Sequence, residues 1–316
     1  MSAATPFWRR LLLGGSAWSG PRAALQALSQ PSPNGPRQVW LAAPSQPSTA
    51  ARPTVILLHG FGASGKQLLG EAFPPSPLAH WREIAEREGW LIAAPDGQRQ
   101  RWNDGFADAS ASGDWDDVGF IDGLISTLIA AHGADAERIY LMGVSKGGMM
   151  SFRLAAELGP RLAAFAPVLA SMPKNSRVPA PRHALPLLMI ASRHDPLVRY
   201  EGGAFRKNRR QAGEMLGIEA SLQVWRELAG LGGAPRSETL TSSDCKTEVT
   251  RLQWGEPGAS LQAVLLRVDG AGHAEPSARH RYPWWINALT GAQNADVDSA
   301  EVAFEFFRDK RRRPAV

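Results

Sequence analysis

The sequence predicts an α/β fold, with one mainly parallel central sheet and helices on both faces. Three observations carry this. Short unbroken apolar runs, such as "TVILLHG" (Thr54 to Gly60), "RIYLMGV" and "LPLLMIAS", have the character of strands covered on both sides. Amphipathic stretches of helical period, such as "LAHWREIAEREG", stand between them. Strand, helix, strand in repetition is the pattern of parallel strands joined by crossover helices. The chain has 316 residues, 44% hydrophobic and 21% charged, enough to bury a full core. No internal repeat or linker divides positions 40–310, so one domain over 37–310 is expected.

Residues 1–36, rich in Pro, Ser and Gly, read as a flexible tail or an export signal. Arg9 and Arg10 precede "LLLGG" as in a twin-arginine signal, although Pro21 and Arg22 soon interrupt the apolar piece. The expected location is periplasmic or secreted, with the cytoplasm as the alternative. "QVWLA" reads as an edge strand and "TVILLHG" as the first buried one. A helix ending at Gly89 follows, then "WLIAAPDG" as strand and turn. "DDVGFIDGLISTLIAAHG" is a helix with an acidic cap, ending at Gly133. "RIYLMGV" is a strand running into a helix from Ser145 to about Leu158. "LAAFAPVLA" and "LPLLMIAS" are further buried strands, and "MLGIEASLQVWRELAG" is a helix. "TEVTRLQW" and "LQAVLLRVDG" are late strands, and "SAEVAFEFFRD" closes as a helix.

The net charge of +5 owes much to Arg308, Lys310, Arg311, Arg312 and Arg313. No aromatic residue interleaves with these cations and no nucleic-acid module is recognisable, so residues 311–316 read as a solvated basic tail. No nucleic-acid partner is expected. No apolar stretch has the length of a membrane span. The single cysteine, Cys245, has no intrachain partner and no companions for a metal site, and reads as a loop or surface thiol.

The chemistry centres on Gly143-Val144-Ser145-Lys146-Gly147, a G-x-S-x-G sequence between a strand and a helix. A nucleophile on such a sharp turn has a strained backbone, and glycine neighbours bare its hydroxyl. A serine needs a base, and the base needs an orienting carboxylate. In the α/β-hydrolase arrangement these follow in the order Ser, acid, His. Asp195 in "ASRHDPLV" sits just past a buried strand, and His273 in "VDGAGHAEP" follows a late strand through a glycine-rich turn. Asp269 is the rival acid. His59 comes too early to be the base and is expected to hold its own loop, as His194 and His183 are expected to shape theirs. The oxyanion of an ester reaction needs two backbone N–H donors. These are expected from Lys146 and from Phe61, with Gly62 the alternative in the His-Gly loop. "GFGASGK" is not a phosphate loop, because Gln67 stands where Ser or Thr is required.

With these segments in hand, the chain resembles the poly(3-hydroxybutyrate) depolymerase and feruloyl esterase-like group of α/β-hydrolases. The matching pieces are "LLHGFGASG", "APDG" with "RWNDG", "DDVGFIDGLI", "RIYLMGVSKGGMMSFRLA", "AAFAPVLASMP", "DPLVRYEGG" and "VDGAGHAEP", in order over about residues 54–310. The resemblance implies a serine esterase acting without cofactor or metal, with Ser145 as nucleophile, Asp195 as acid and His273 as base. The implied substrates are small or polymeric esters of hydroxy acids, with feruloyl or acetylxylan esters as the alternative, and the chain is expected to be monomeric. A silent polymer-binding domain on the same scaffold is the non-enzymatic alternative. Two departures lie beside the site: Lys146 where the family commonly has asparagine, and Ala274-Glu275-Pro276-Ser277 after the histidine. The Lys146 side chain is expected either to lean to water or a carboxylate such as Asp116 or Asp117, or to attract anionic substrates at the cleft rim. Under the family layout Trp102, Trp115 and Gly62 border the substrate. Asp116 and Asp117 are expected as a helix cap and a loop carboxylate rather than a metal pair.

Overall fold

Alternate residues of a strand face opposite ways. In the computed structural model, which describes residues 15–16, 20–106, 114–207, 210–240 and 247–313, they fill two separate cores. The strands are β1 (Ala24–Gln30), β2 (Arg37–Ala43), β3 (Arg52–Leu58), β4 (Leu91–Pro95), β5 (Ala134–Val144), β6 (Ala164–Val168) and β7 (Leu187–Ser192). They continue with β8 (Gly203–Lys207), β9 (Arg210–Met215), β10 (Arg236–Leu240), β11 (Glu248–Trp254) and β12 (Ala263–Asp269). The main helices are α1 (Trp81–Glu88), α2 (Asp117–Ala131), α3 (Lys146–Leu158), α4 (Ile218–Leu228), α5 (Trp284–Thr290) and α6 (Ser299–Phe307). Ile56, Leu58, Leu141, Phe165 and Met189 meet α2, α3 and α4 on one face. Val55, Leu57, Tyr140, Met142 and Ile190 meet α1 and α6 on the other.

The sheet order is β10-β11-β12-β7-β6-β5-β3-β4-β2-β1. The strands from β12 to β4 are parallel; β11, β10, β2 and β1 add antiparallel edges. The chain runs from β3 to β4 on one side, then crosses to β5 on the other. This reversal leaves a crevice at the carboxyl ends of β3 and β5, the usual ligand position in an open α/β sheet.

Part of the segment read as a tail lies in the sheet, since β1 pairs with β2 from Ala24↔Ala43 to Gln30↔Arg37. The C-terminal basic cluster is not solvated throughout. Lys310 is buried, its ammonium 5.4 Å from the Phe306 ring centroid, and its carbonyl accepts from the Tyr140 hydroxyl at 2.8 Å. The Arg312 N–H donates to the Glu137 carbonyl at 2.7 Å. Arg9, Arg10 and Cys245 lie outside the described residues. Among the described residues, no helix is long and apolar enough to cross a membrane.

Candidate active site

Strand β5 ends at Val144, and Ser145 turns the chain sharply into α3 with φ 53° and ψ −116°. A non-glycine residue there costs on the order of 1–3 kcal/mol and persists only where its surroundings fix it. They do: its N–H donates to the Val168 carbonyl of β6 at 2.8 Å, and its carbonyl accepts from Met149 N–H at 3.0 Å. The neighbouring glycines are required by close approach. A Cβ at Gly143 would stand 2.2 Å from the Gly147 carbonyl oxygen, and one at Gly147 2.1 Å from that of Leu58. A Cβ at Gly60 would stand 3.7 Å from Ser145 Cβ, so the loop after β3 abuts the serine.

In register, Val144 pairs with Val168, Val168 with Ile190, and Ser192 with Val268. The residues following β5, β7 and β12 therefore emerge at one carboxyl edge, and Ser145, Asp195 and His273 all lie there. Asp195 is buried, and its Oδ1 accepts from the N–H groups of Leu197 and Val198, both at 2.8 Å. Its Oδ2 lies 2.6 Å from His273 Nδ1. A carboxylate only accepts, so Nδ1 carries the proton and Nε2 is the basic nitrogen. The rival Asp269 engages Arg267 at 3.3 Å and Arg193 at 3.7 Å. His194 shapes its loop, as expected: Nδ1 accepts from Gly270 N–H at 3.1 Å.

The backbone of His273 is clamped by the end of α5 and the residues just after it. Gly272 N–H donates to Ala292 at 2.7 Å and His273 N–H to Thr290 at 2.6 Å. A Cβ at Gly272 would stand 2.1 Å from the Thr290 oxygen, so only glycine fits. The buried Glu275 fastens the same loop from the other side. It accepts from the Ser76 hydroxyl at 2.9 Å and the Tyr282 hydroxyl at 3.0 Å.

His59 holds its loop. It is fully buried; Nδ1–H donates to the Gly60 carbonyl at 2.7 Å, and Nε2 accepts from Gly97 N–H at 2.9 Å. Burial lowers its pKa to about 4, against the opposing Gly60 bond, so it is neutral. Trp102, expected at the substrate, is instead fully buried, and its Nε1–H donates to the His59 carbonyl at 2.9 Å. Gly62, the alternative oxyanion donor and a residue expected at the substrate, has its N–H committed to Gln100 O at 3.0 Å. Its φ of +74° suits glycine. Phe61 stands between them with its side chain 56% exposed. The anion position a phosphate loop would offer is filled by the protein, because Gly65 N–H donates to Asp96 Oδ1 at 2.7 Å.

Lys146 opens α3, where first-turn N–H groups lack intrahelical acceptors. Its side chain takes the carboxylate course, but with Asp104 rather than Asp116 or Asp117. It is buried, with Nζ 2.5 Å from Asp104 Oδ2 and 4.8 Å from the Phe106 ring centroid. The named carboxylates are engaged elsewhere. Asp116 caps α2 by accepting from Gly119 N–H at 2.7 Å. Asp117 is buried within α2, where it pairs with Arg37 and accepts from Asn103 N–H at 2.5 Å. Trp115 is half-buried before α2, its carbonyl accepting from the Asn103 side chain at 2.8 Å. No cluster of three or more His, Cys, Asp or Glu placed to hold a metal is found among the described residues.

A family profile described as phospholipase/carboxylesterase matches residues 42–215. An inferred esterase, NocK, of Nocardia uniformis subsp. tsuyamanensis is 25% identical over 272 residues, 84% of this chain and 76% of that one. Feruloyl esterase B of Piromyces equi is 26% identical over 215 residues, 66% of this chain but only 38% of its own. The acetyl xylan esterase structure from Aspergillus awamori superposes with a TM-score of 0.56 at 15% identity, covering 90% of this chain and 99% of that one, and attests the fold.

Proposed function

The chain belongs to the phospholipase/carboxylesterase family of α/β-hydrolases, and from that premise we propose that it is a serine esterase working through Ser145, His273 and Asp195. His273 Nε2 takes the proton of Ser145 Oγ as the hydroxyl attacks the ester carbonyl. The Phe61 and Lys146 N–H groups hold the resulting oxyanion. The imidazolium then passes its proton to the leaving alcohol, and an acyl-enzyme remains. Water, deprotonated by the same nitrogen, attacks the acyl carbon and frees the acid. Asp195 holds the imidazole in the tautomer this requires and stabilises its cation. No metal or cofactor takes part.

The observation that carries the reading is the backbone of Ser145, held in a conformation rare for a non-glycine residue by a glycine-lined turn. We assign as substrates esters of hydroxy acids, as oligomers or polymers, cleaved by a monomer. Export rests on the Arg9-Arg10 segment alone. Feruloyl or acetylxylan ester hydrolysis is the second reading, favoured by similarity to a feruloyl esterase.

A serine-directed fluorophosphonate should label the wild-type protein and abolish its turnover of p-nitrophenyl butyrate, while EDTA leaves turnover unchanged. Ser145→Ala should lose both label and activity, by on the order of 10⁶-fold in kcat. A folded Ser145→Ala protein with wild-type turnover would defeat the assignment. Hydroxybutyrate oligomers, methyl ferulate and acetylated xylan, run side by side, decide the substrate.

A further inference from the structure

The turn after β4, "DGQRQRW", is fastened to the oxyanion loop at three points. Gly97 N–H meets His59 Nε2, Gln100 O meets Gly62 N–H, and Trp102 Nε1–H meets His59 O. Between these ties Arg99 and Gln100 both adopt left-handed backbone, φ +51° and +59°. Two successive non-glycine residues there are unfavourable, and such strain collects where a side chain must be presented in one direction. The next residue is Arg101. Its guanidinium carbon lies 5.2 Å from the ring centroid of Phe61. Among the described residues Arg101 forms no ion pair.

A guanidinium stacked on an aromatic face keeps its N–H edge available, and that edge matches a carboxylate with two parallel hydrogen bonds. We propose that Arg101 is a specificity-determining residue that binds a free carboxylate on the substrate. The favoured ester would then be a hydroxy-acid oligomer ending in an acid. This rests on the assignment of Ser145 as nucleophile and of Phe61 N–H as an oxyanion donor. Under that assignment the backbone of Phe61 holds the reacting carbonyl while its ring carries the cation that holds the substrate's charge. A second arginine, Arg199, lines a cavity of about 340 Å³ with Pro196, Leu197 and Met215, beside the Asp195 loop, and serves as the comparison.

The test uses two substrates of nearly the same shape that differ in terminal charge: the 3-hydroxybutyrate dimer with a free carboxylate, and its terminal primary amide. Their kcat/KM ratio is measured, or, if neither reacts, the ratio of their inhibition constants against p-nitrophenyl butyrate turnover. Wild type should favour the free acid, and the preference should fade as salt rises. Arg101→Gln should lose about ten- to a hundredfold of that preference, as expected for a hydrogen bond to a charged group. Turnover of p-nitrophenyl butyrate should hold, and Arg101→Lys should keep part of the preference. Three results would overturn the proposal: no preference in wild type, an equal loss on both partners in Arg101→Gln, or a preference abolished by Arg199→Gln and kept by Arg101→Gln. Failure of the Ser145 reading shows separately, as neutral-ester turnover that survives Ser145→Ala.

Discussion

Asp195→Asn changes one atom and reaches the proposed base through a known chain of hydrogen bonds. In the wild type one carboxylate oxygen serves two main-chain donors, Leu197 and Val198, and the other serves His273 Nδ1–H. Asparagine has one acceptor oxygen. Two fixed N–H groups outweigh one mobile ring, so the oxygen stays with them and the amide NH₂ turns to the imidazole. Nδ1 must then accept, and the proton moves to Nε2, the nitrogen that should deprotonate Ser145. The expected loss is on the order of 10⁴ in kcat, about 5 kcal/mol of transition-state stabilisation. Stability should change little, because both main-chain donors keep their acceptor. The assay is kcat on p-nitrophenyl butyrate from pH 6 to 10, beside a thermal melt of the same preparation. A well-folded Asp195→Asn protein within tenfold of wild type at pH 7 would refute the reasoning and return the acid role to another carboxylate.

Lys146→Met leaves the Asp104 carboxylate buried without its cation and should cost about 3–5 kcal/mol in urea denaturation. Adding Asp104→Leu should recover most of it, and a double variant no more stable than the single would contradict the pairing. Gly147→Ala forces a methyl to 2.1 Å from the Leu58 oxygen and 2.7 Å from that of His59, and should destabilise the fold by about 3 kcal/mol. Its neutral-ester kcat should fall as well, since the loop after β3, which carries the proposed oxyanion donor, must shift; wild-type stability would show that the backbone yields. Burial holds His59 and His280 at pKa values of about 4, whereas a histidine in the unfolded chain titrates near 6.5. The unfolded chain therefore binds more protons between these values. Stability is full above pH 6.5 and falls towards pH 4 by up to about 1.4 kcal/mol per unit for each histidine. Denaturation midpoints at pH 7.5, 6.5 and 5.5 check this, and a flat series would contradict it.

The central strands were legible because residues buried on both faces leave an unbroken apolar run, as in Val55 to Leu58. The edges were not. β10 reads "RSETL" and is almost wholly exposed, so its place rests on backbone pairing to β11 rather than on side-chain pattern. β1 hid in a polar segment for a similar reason. Within the proposed site, glycine spacing points to Ser145 and chain order to Asp195 and His273. Trp102 did not reveal its role, because a tryptophan beside a loop reads alike as pocket wall or core. What decides is the bond from its Nε1–H to the His59 carbonyl. The partner of Lys146 was equally hidden. Asp104 comes from the turn after β4 and meets α3 only when the sheet has brought β4 and β5 to either side of β3. Glu275 stood out in the sequence as a departure, but its hydroxyl partners on Ser76 and Tyr282 did not.

The Lys146–Asp104 pair also restricts how this sequence can diverge. A lineage that exchanges the lysine for a neutral residue first must carry a buried carboxylate that has lost this ion pair until position 104 follows, and the reverse order leaves a buried lysine without it. Either intermediate is depleted by selection before a second substitution can arrive. The two positions thus inherit change as a unit, across a gap in sequence that no local pattern spans. Descendants of this chain that carry a small polar residue at position 146 should have lost the acid at position 104 as well.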